Sequence, residues 1–157
     1  MATLVSVRSR LPLAVILFAI LLASCGVTPS VIVRVAGEMV PMVLSSTTVR
    51  TGCSAEHGDA FPRDVPLTTV RAPTPAMLHI EAGQGATAIR GWIYDIDAPM
   101  ASGGPIEEFT LSGRSGDHEA RSIVPGRTYR VVVNVTWSSL ITGGEVTHIF
   151  QLRIEPR

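Results

Sequence analysis

The densest group of side chains that could carry chemistry lies in one short stretch. It contains Cys53, Glu56, His57 and Asp59. A Cys-x3-His spacing with a nearby carboxylate could bind a transition metal, or could pair a thiol nucleophile with a base. A structural zinc site needs four ligands, however, and the sequence has no second cluster of cysteine and histidine. We therefore favour a semi-buried thiol in a solvated loop, and keep a metal or thiol site at Cys53, His57 and Asp59 as the alternative.

Carboxylates form a second group, at Asp95 and Asp97 with Glu107 and Glu108 beyond a loop. Their oxygen atoms suit calcium, but the twelve-residue pattern with its glycine and closing glutamate is absent. No nucleophile elbow, phosphate-binding loop or zinc-protease motif is present either. The sequence therefore predicts no metal, no cofactor and no catalytic residue, and we expect a protein that is not an enzyme.

Aromatic side chains beside an arginine form the third group, because Arg90, Trp92 and Tyr94 alternate along one predicted strand. Such a combination on an exposed sheet face is typical of partner-binding surfaces. If both faces of the sheet are covered, the same residues are core. We favour the core interpretation and keep a partner-binding face at Arg90, Trp92 and Tyr94 as the alternative.

The N-terminus has the layout of an export signal. Arg8 and Arg10 precede an apolar run over 11–22, which is shorter than the roughly 20 residues that span a bilayer. The run ends in Leu22-Ala23-Ser24-Cys25, which resembles the lipobox of bacterial lipoproteins. The resemblance implies that a diacylglycerol thioether forms on Cys25, that cleavage precedes it, and that acyl chains such as palmitate anchor the mature protein. A plain secretory signal or an uncleaved anchor is the alternative.

The same resemblance predicts the location and the domain boundaries. Gly26 follows the cysteine where an aspartate would favour retention in the inner membrane. We therefore expect a lipid anchor outside the cytoplasm, in the outer membrane if the host has one. Residues 1–24 would be the signal peptide, 25–30 the lipidated cysteine with a short tether, and 31–157 one domain.

Charge excludes two classes of partner. The chain has 13 basic and 13 acidic residues, and Arg8 and Arg10 belong to the signal, so the mature protein is slightly acidic. It has no basic surface for nucleic acid and no polybasic segment for anionic lipid. Membrane attachment would therefore depend on the acyl chains, and an envelope protein or polymer is the expected partner class. Apart from Cys25, only Cys53 is a cysteine, so a disulfide framework is excluded.

Alternation of apolar and polar residues predicts strands throughout the mature chain. The clearest strands cover 128–137 and 145–155. Their predicted buried side chains are Tyr129, Val131, Val133, Val135 and Trp137 on the first strand, and Phe150, Leu152 and Ile154 on the second. His148 shares the face of Phe150, so we expect an interior histidine with its hydrogen bonds satisfied.

Breaks in this pattern predict the loops. We expect irregular segments over 51–66 and 97–105, a polar loop over 112–118, and a strand over 39–44 that is an edge strand or carries a bulge because of Pro41. No segment has a sustained helical period, and about seven to nine short strands separated by turn signals are typical of an all-β sandwich. The prediction is an immunoglobulin-like two-sheet antiparallel β-sandwich after a cleaved lipoprotein signal peptide, with a β-barrel as the second choice.

The closing pair of strands resembles that of a group of small uncharacterised bacterial lipoproteins. The matching residues are Gly126, Tyr129 and Trp137, followed by His148, Phe150 and Leu152. The resemblance implies the location and the fold and transfers no catalytic residue. Two functions remain: a non-catalytic binding or structural module at the cell envelope, which we favour, and an extracytoplasmic enzyme or metal-binding protein using the loop 51–66.

Overall fold

The computed structural model describes residues 28–51, 54–59, 62, 64–98, 103–140 and 142–157. These residues form eleven strands and no helix. In chain order the strands are β1 (Val31–Val35), β2 (Glu38–Val40), β3 (Val43–Thr51), β4 (Ser54–Asp59), β5 (Leu67–Arg71), β6 (Ala76–Ala82), β7 (Ala86–Asp95), β8 (Glu107–Ser112), β9 (Ser115–Ala120), β10 (Thr128–Ser138) and β11 (Thr142–Glu155). The predicted signal peptide, Cys25 and Cys53 lie outside the described residues.

Two sheets pack face to face, which confirms the predicted all-β sandwich. The smaller sheet has the order β2-β1-β6-β9, and the larger has the order β4-β3-β11-β10-β7-β8. Pairing is antiparallel except that β5 runs parallel to the last part of β11. β3 pairs with the first part of β11 and β5 with its last part, so one long strand holds two partners on the same side.

The chain passes from one sheet to the other at both edges of the sandwich. At one edge Pro41 and Met42 separate β2 of the small sheet from β3 of the large sheet. The segment 39–44 is therefore two strands and not the single strand predicted, because the proline has no N–H for a strand ladder. At the other edge Gly113 and Arg114 join β8 to β9, and Gly113 adopts a φ of 84°, which a residue with a Cβ rarely adopts.

Inward-facing side chains of both sheets form a single core. The period-2 prediction for β10 and β11 is confirmed, because every residue predicted to be buried there is buried. Phe109 of β8 packs over Gly91 of β7, where an added Cβ would overlap the ring. A glycine is therefore required in the middle of a central strand. Tyr129 is buried, and its hydroxyl accepts a 2.8 Å hydrogen bond from the backbone N–H of Val124.

Two of the predicted loops are wrong. Within 51–66, the residues of β4 pair with β3 from Ser46↔Asp59 to Thr51↔Ser54. Within 112–118, the turn is limited to Gly113 and Arg114, and β9 pairs with β6 over its whole length. Both segments are edge strands. Because pairing with the neighbouring strand stabilises them, their sequences do not need an alternation of apolar residues.

Candidate binding face

The outer face of the large sheet carries the aromatic and arginine residues that the sequence placed on one strand. In β7 the side chains of Ile89 and Ile93 are fully buried, whereas Arg90 is exposed and Trp92 and Tyr94 are half-buried. The predicted separation of the two strand faces is confirmed. The interpretation of Arg90, Trp92 and Tyr94 as core is wrong, because the small sheet covers only the opposite face of β7.

Strand register extends this group across the sheet. Trp92 lies between Glu108 of β8 and Val132 of β10, and Tyr94 lies beside Arg130 of β10. The row through Trp92 continues to Ile149 and then to Val43. We call the surface formed by Arg90, Trp92, Tyr94, Glu108, Thr110, Arg130 and Val132 the large-sheet face.

A shallow groove of about 360 Å³ runs over the β7–β8 pair. Its outer walls are the side chains of Arg90 and Trp92 on one strand and of Glu108 and Thr110 on the other. Gly91 lies between Arg90 and Trp92 and has no side chain of its own. The groove therefore combines an indole, a guanidinium and a carboxylate within one shallow surface.

The two arginines of this face have no hydrogen-bond or ion-pair partner among the described residues. Neither Arg90 nor Arg130 forms a hydrogen bond or an ion pair with another described residue, whereas Asn134 nearby donates a 3.0 Å hydrogen bond to Thr147. A guanidinium offers a planar set of donors that suits carboxylates and phosphates and stacks on aromatic rings. Within the described ranges, the donors of Arg90 and Arg130 are therefore unpaired.

The outer face of the small sheet has the opposite character. We call it the small-sheet face, and its charges neutralise one another. Arg34 lies 3.6 Å from Glu81, His79 lies 2.7 Å from Asp117, and Arg121 lies 2.8 Å from Glu119. Its exposed apolar side chains are Met39 and Met77, and no aromatic residue lies between them.

The predicted metal or thiol site is only partly described. His57 and Asp59 lie on the same face of the edge strand β4, whereas Cys53 lies outside the described residues. The Nδ1 atom of His57 lies 2.8 Å from Thr48 Oγ1, and its Nε2 atom lies 3.0 Å from Asp59 Oδ1. Both ring nitrogens therefore have partners within the sheet. No group of three potential metal ligands occurs among the described residues.

The two aspartates considered for calcium have structural partners instead. Asp95 forms a 2.8 Å ion pair with Arg127, and Asp97 accepts a 2.6 Å hydrogen bond from the backbone N–H of Thr128. Both aspartates therefore fasten the start of β10 to the end of β7. The calcium alternative has no cluster of free carboxylates at this position.

A polar cluster joins the two sheets at His118, which the sequence pattern places in a polar loop over 112–118. His118 of β9 stacks on Phe109 of β8, with ring centroids 4.1 Å apart. Its Nε2 atom lies 2.6 Å from Oε1 of Glu107, and both side chains are more than four-fifths buried. The turn at Gly113 places β9 beside β8 and so brings His118 to Glu107 and Phe109. The spacing of these residues in the sequence does not indicate this contact.

Glu107 remains charged in this cluster. Burial alone would raise the pKa of its carboxyl, but the nearby hydroxyl and backbone N–H of Ser122, together with His118, outweigh burial and hold the pKa below its ordinary value. The backbone N–H of Ser122 donates a 2.7 Å hydrogen bond to Oε2. The cluster is therefore a charged contact between sheets.

His148 differs from its prediction in one respect. It lies on the core side of β11, as expected, but its Nδ1 atom is buried and has no hydrogen-bond partner among the described residues. Burial lowers the pKa of the imidazole because the charged form loses hydration. The imidazole of His148 is therefore uncharged at neutral pH.

Comparison of the chain with protein-family models, with curated proteins and with solved structures found no match. Within the described ranges, no helix is long and apolar enough to cross a membrane.

Proposed function

We propose that this protein is a lipid-anchored, non-catalytic binding module of the bacterial cell envelope, and that the large-sheet face is its binding surface. One observation carries the proposal. Trp92 and Tyr94 are half-exposed beside two arginines that form no ion pair with any described residue, on a sheet face that no other described element covers. Aromatic residues and arginine are enriched at the centres of interfaces, where they supply most of the binding energy.

The proposal includes an immunoglobulin-like fold. Three features support it: sequential strands exchange between two sheets, β5 runs parallel to the closing strand β11, and Tyr129 bonds back to Val124 near the start of β10. A buried tyrosine in this position is the corner motif of that fold. The chain lacks the inter-sheet disulfide of antibody domains, since Cys53 is its only cysteine beyond Cys25.

The partner class that suits the large-sheet face is an envelope protein or polymer. The groove over β7 and β8 is open to solvent, and an indole beside a guanidinium can stack on a flat group while pairing with an anion. Glu108 beside Trp92 adds an acceptor for hydroxyl or amide donors. No described feature of this face positions a nucleophile or a metal.

A pair of photo-crosslinking positions tests the binding face in cells. We expect a crosslinking amino acid in place of Thr110, on the large-sheet face, to form adducts, and the same amino acid in place of Met77, on the small-sheet face, to form none. Trp92→Ala should reduce the Thr110 adducts about tenfold, as expected for a central anchor residue. Arg34→Glu is the matched control on the other face. Equal adducts from both positions would contradict the proposed surface.

The anchor has a separate test. With Cys25→Ser, the thioether cannot form, so we expect an unprocessed precursor without acyl label. The measurement is metabolic labelling with palmitate, together with partitioning between detergent and water. Normal cleavage and detergent partitioning of this variant would contradict lipid anchoring without bearing on the binding face.

An extracytoplasmic enzyme or metal-binding protein using 51–66 is the alternative. His57, Thr48 and Asp59 form a hydrogen-bonded row, but the two ring nitrogens of His57 are occupied, which leaves neither for a metal. We expect His57→Ala to fold normally and to keep the partner of the parent protein. Stoichiometric metal in the purified protein, lost on His57→Ala, would favour the alternative.

A further inference from the structure

Several turns of the sandwich meet at the end where the described chain begins. The backbone carbonyl of Ser30 accepts a 2.7 Å hydrogen bond from Gly83, just before the β6–β7 turn. The carbonyl of Gly85 in that turn accepts a 2.9 Å bond from Ser138, where the β10–β11 hairpin begins. The carbonyl of Arg114, in the β8–β9 turn, accepts a 2.7 Å bond from Ala82. We call this the N-terminal end of the sandwich.

Leu140 projects from the N-terminal end. It lies in the β10–β11 hairpin and is fully exposed, more than any other large apolar residue among those described. The hairpin around it is well fastened, because the backbone N–H of Ser139 donates a 2.6 Å bond to the carbonyl of Thr142 and the two side-chain hydroxyls lie 2.8 Å apart. A leucine is thus held outward in water, at a site where no described neighbour covers it.

Two arginines accompany the leucine. Arg50 lies at the end of β3, beside Gly143 of the same hairpin, and Arg114 lies in the neighbouring turn. Both are exposed, and neither forms an ion pair with a described residue. The carboxylate nearest to Arg114 in sequence, Asp117, lies 2.7 Å from His79, and the one nearest to Arg50, Glu56, forms no ion pair with a described residue. An apolar tip flanked by arginines is the pattern of side chains that enter a lipid interface.

We infer that the N-terminal end rests on the lipid bilayer, with Leu140 in the headgroup region and Arg50 and Arg114 at the lipid phosphates. The inference rests on the proposed anchor at Cys25. Three virtual bonds of 3.80 Å separate Cys25 from Thr28, so their Cα atoms are at most about 11 Å apart. The acylated cysteine therefore holds this end, and no other, within about one nanometre of the membrane. A bilayer is the one surface that the anchor itself brings to Leu140.

Fluorescence quenching in vesicles tests the contact with the full lipidated chain. Leu140→Trp is compared with Val124→Trp, since Val124 is also exposed and lies at the opposite end of the sandwich, before the turn to β10. Each variant is reconstituted into vesicles of phosphatidylethanolamine and phosphatidylglycerol containing phosphatidylcholine brominated high on its acyl chains. The parent, with Trp92 and Trp137, is measured in parallel and its emission is subtracted.

We expect the added emission of Leu140→Trp to shift to the blue and to be quenched, and that of Val124→Trp to be unaffected. Unquenched emission from Leu140→Trp in protein that partitions fully into the vesicles would overturn the contact and leave the anchor intact. Equal quenching of both variants would also overturn it, because the domain would then have no fixed orientation. Failure of the parent itself to partition would overturn the proposed anchor, and the inference with it.

Discussion

The two outer faces of the sandwich are built from strands of the same kind and differ in how their charges are used. On the small-sheet face, Arg34 pairs with Glu81 and His79 pairs with Asp117, so the charges are satisfied within the sheet. On the large-sheet face, Arg90 and Arg130 have no such partners within the part of the chain that the structure describes, and they lie beside Trp92 and Tyr94. The two faces therefore differ in their aromatic residues and in the pairing of their charges among the described residues.

The proposed orientation on the membrane is consistent with this contrast. If the N-terminal end rests on the lipid, the strands run away from the bilayer. Both outer faces of the sandwich then lie outside the lipid. The large-sheet face would then be open to a partner in the envelope. A partner that binds there need not compete with the anchor, since the two surfaces share no residue.

The largest expected effect tests whether one core supports both faces. Val133 is fully buried in β10, and its neighbour Val132 lies on the large-sheet face. Val133→Asp places an unpaired charge in the core and should cost several kcal/mol, with loss of cooperative unfolding. Val132→Asp should cost only about 1 kcal/mol. Chemical denaturation measures both, and equal losses would mean that the two faces of β10 are assigned wrongly.

An intermediate effect is expected where the two sheets are joined by charge. Glu107→Gln removes the carboxylate that bonds His118 and Ser122, at an expected cost of about 1–3 kcal/mol near neutral pH. Because the pKa of Glu107 is lowered in the folded state, its contribution is complete above its ordinary value of 4.5 and is lost as the pH falls through the lower folded value. The variant should therefore lose less stability than the parent below pH 4.5.

His148 provides the internal control for that pH dependence. Its pKa is lowered from 6.5 by burial, so the unfolded chain takes up a proton first and stability begins to fall below about pH 6.5 in parent and variant alike. Thermal melts across the acid range separate the two effects. Parallel curves for parent and Glu107→Gln down to acid unfolding would show that the Glu107–His118 contact contributes nothing through its charge.

The smallest effects are expected from single arginines on the two faces. Arg34→Ala breaks an exposed ion pair and should lower the free energy of unfolding by no more than about 1 kcal/mol, with less effect in high salt. Arg90→Ala removes no described pair and should leave stability unchanged. Only Arg90→Ala should weaken partner binding. If Arg90→Ala destabilises the domain more than Arg34→Ala does, then Arg90 has a structural role and the contrast between the faces is lost.

Much of the fold was predictable because it depends on local alternation. The side chains of β10 and β11 were assigned to the correct sides from the period of two, and those of β7 were divided correctly into two faces, since successive residues of a strand must point in opposite directions. Pro41 also marked a disturbance of strand pairing, because a proline has no backbone N–H to donate. The edge strands β4 and β9 were missed because their polar residues have no such period.

The sequence by itself determined the two sides of each central strand, and it predicts a single domain after an export-like N-terminal segment. The tertiary structure alone decided which side of β7 became core, since that depends on where the small sheet packs. It also decided that Glu107 meets His118 and that Leu140, Arg50 and Arg114 share one end with Ser30. Those contacts join residues far apart in the chain, and only the pairing of whole strands brings them together.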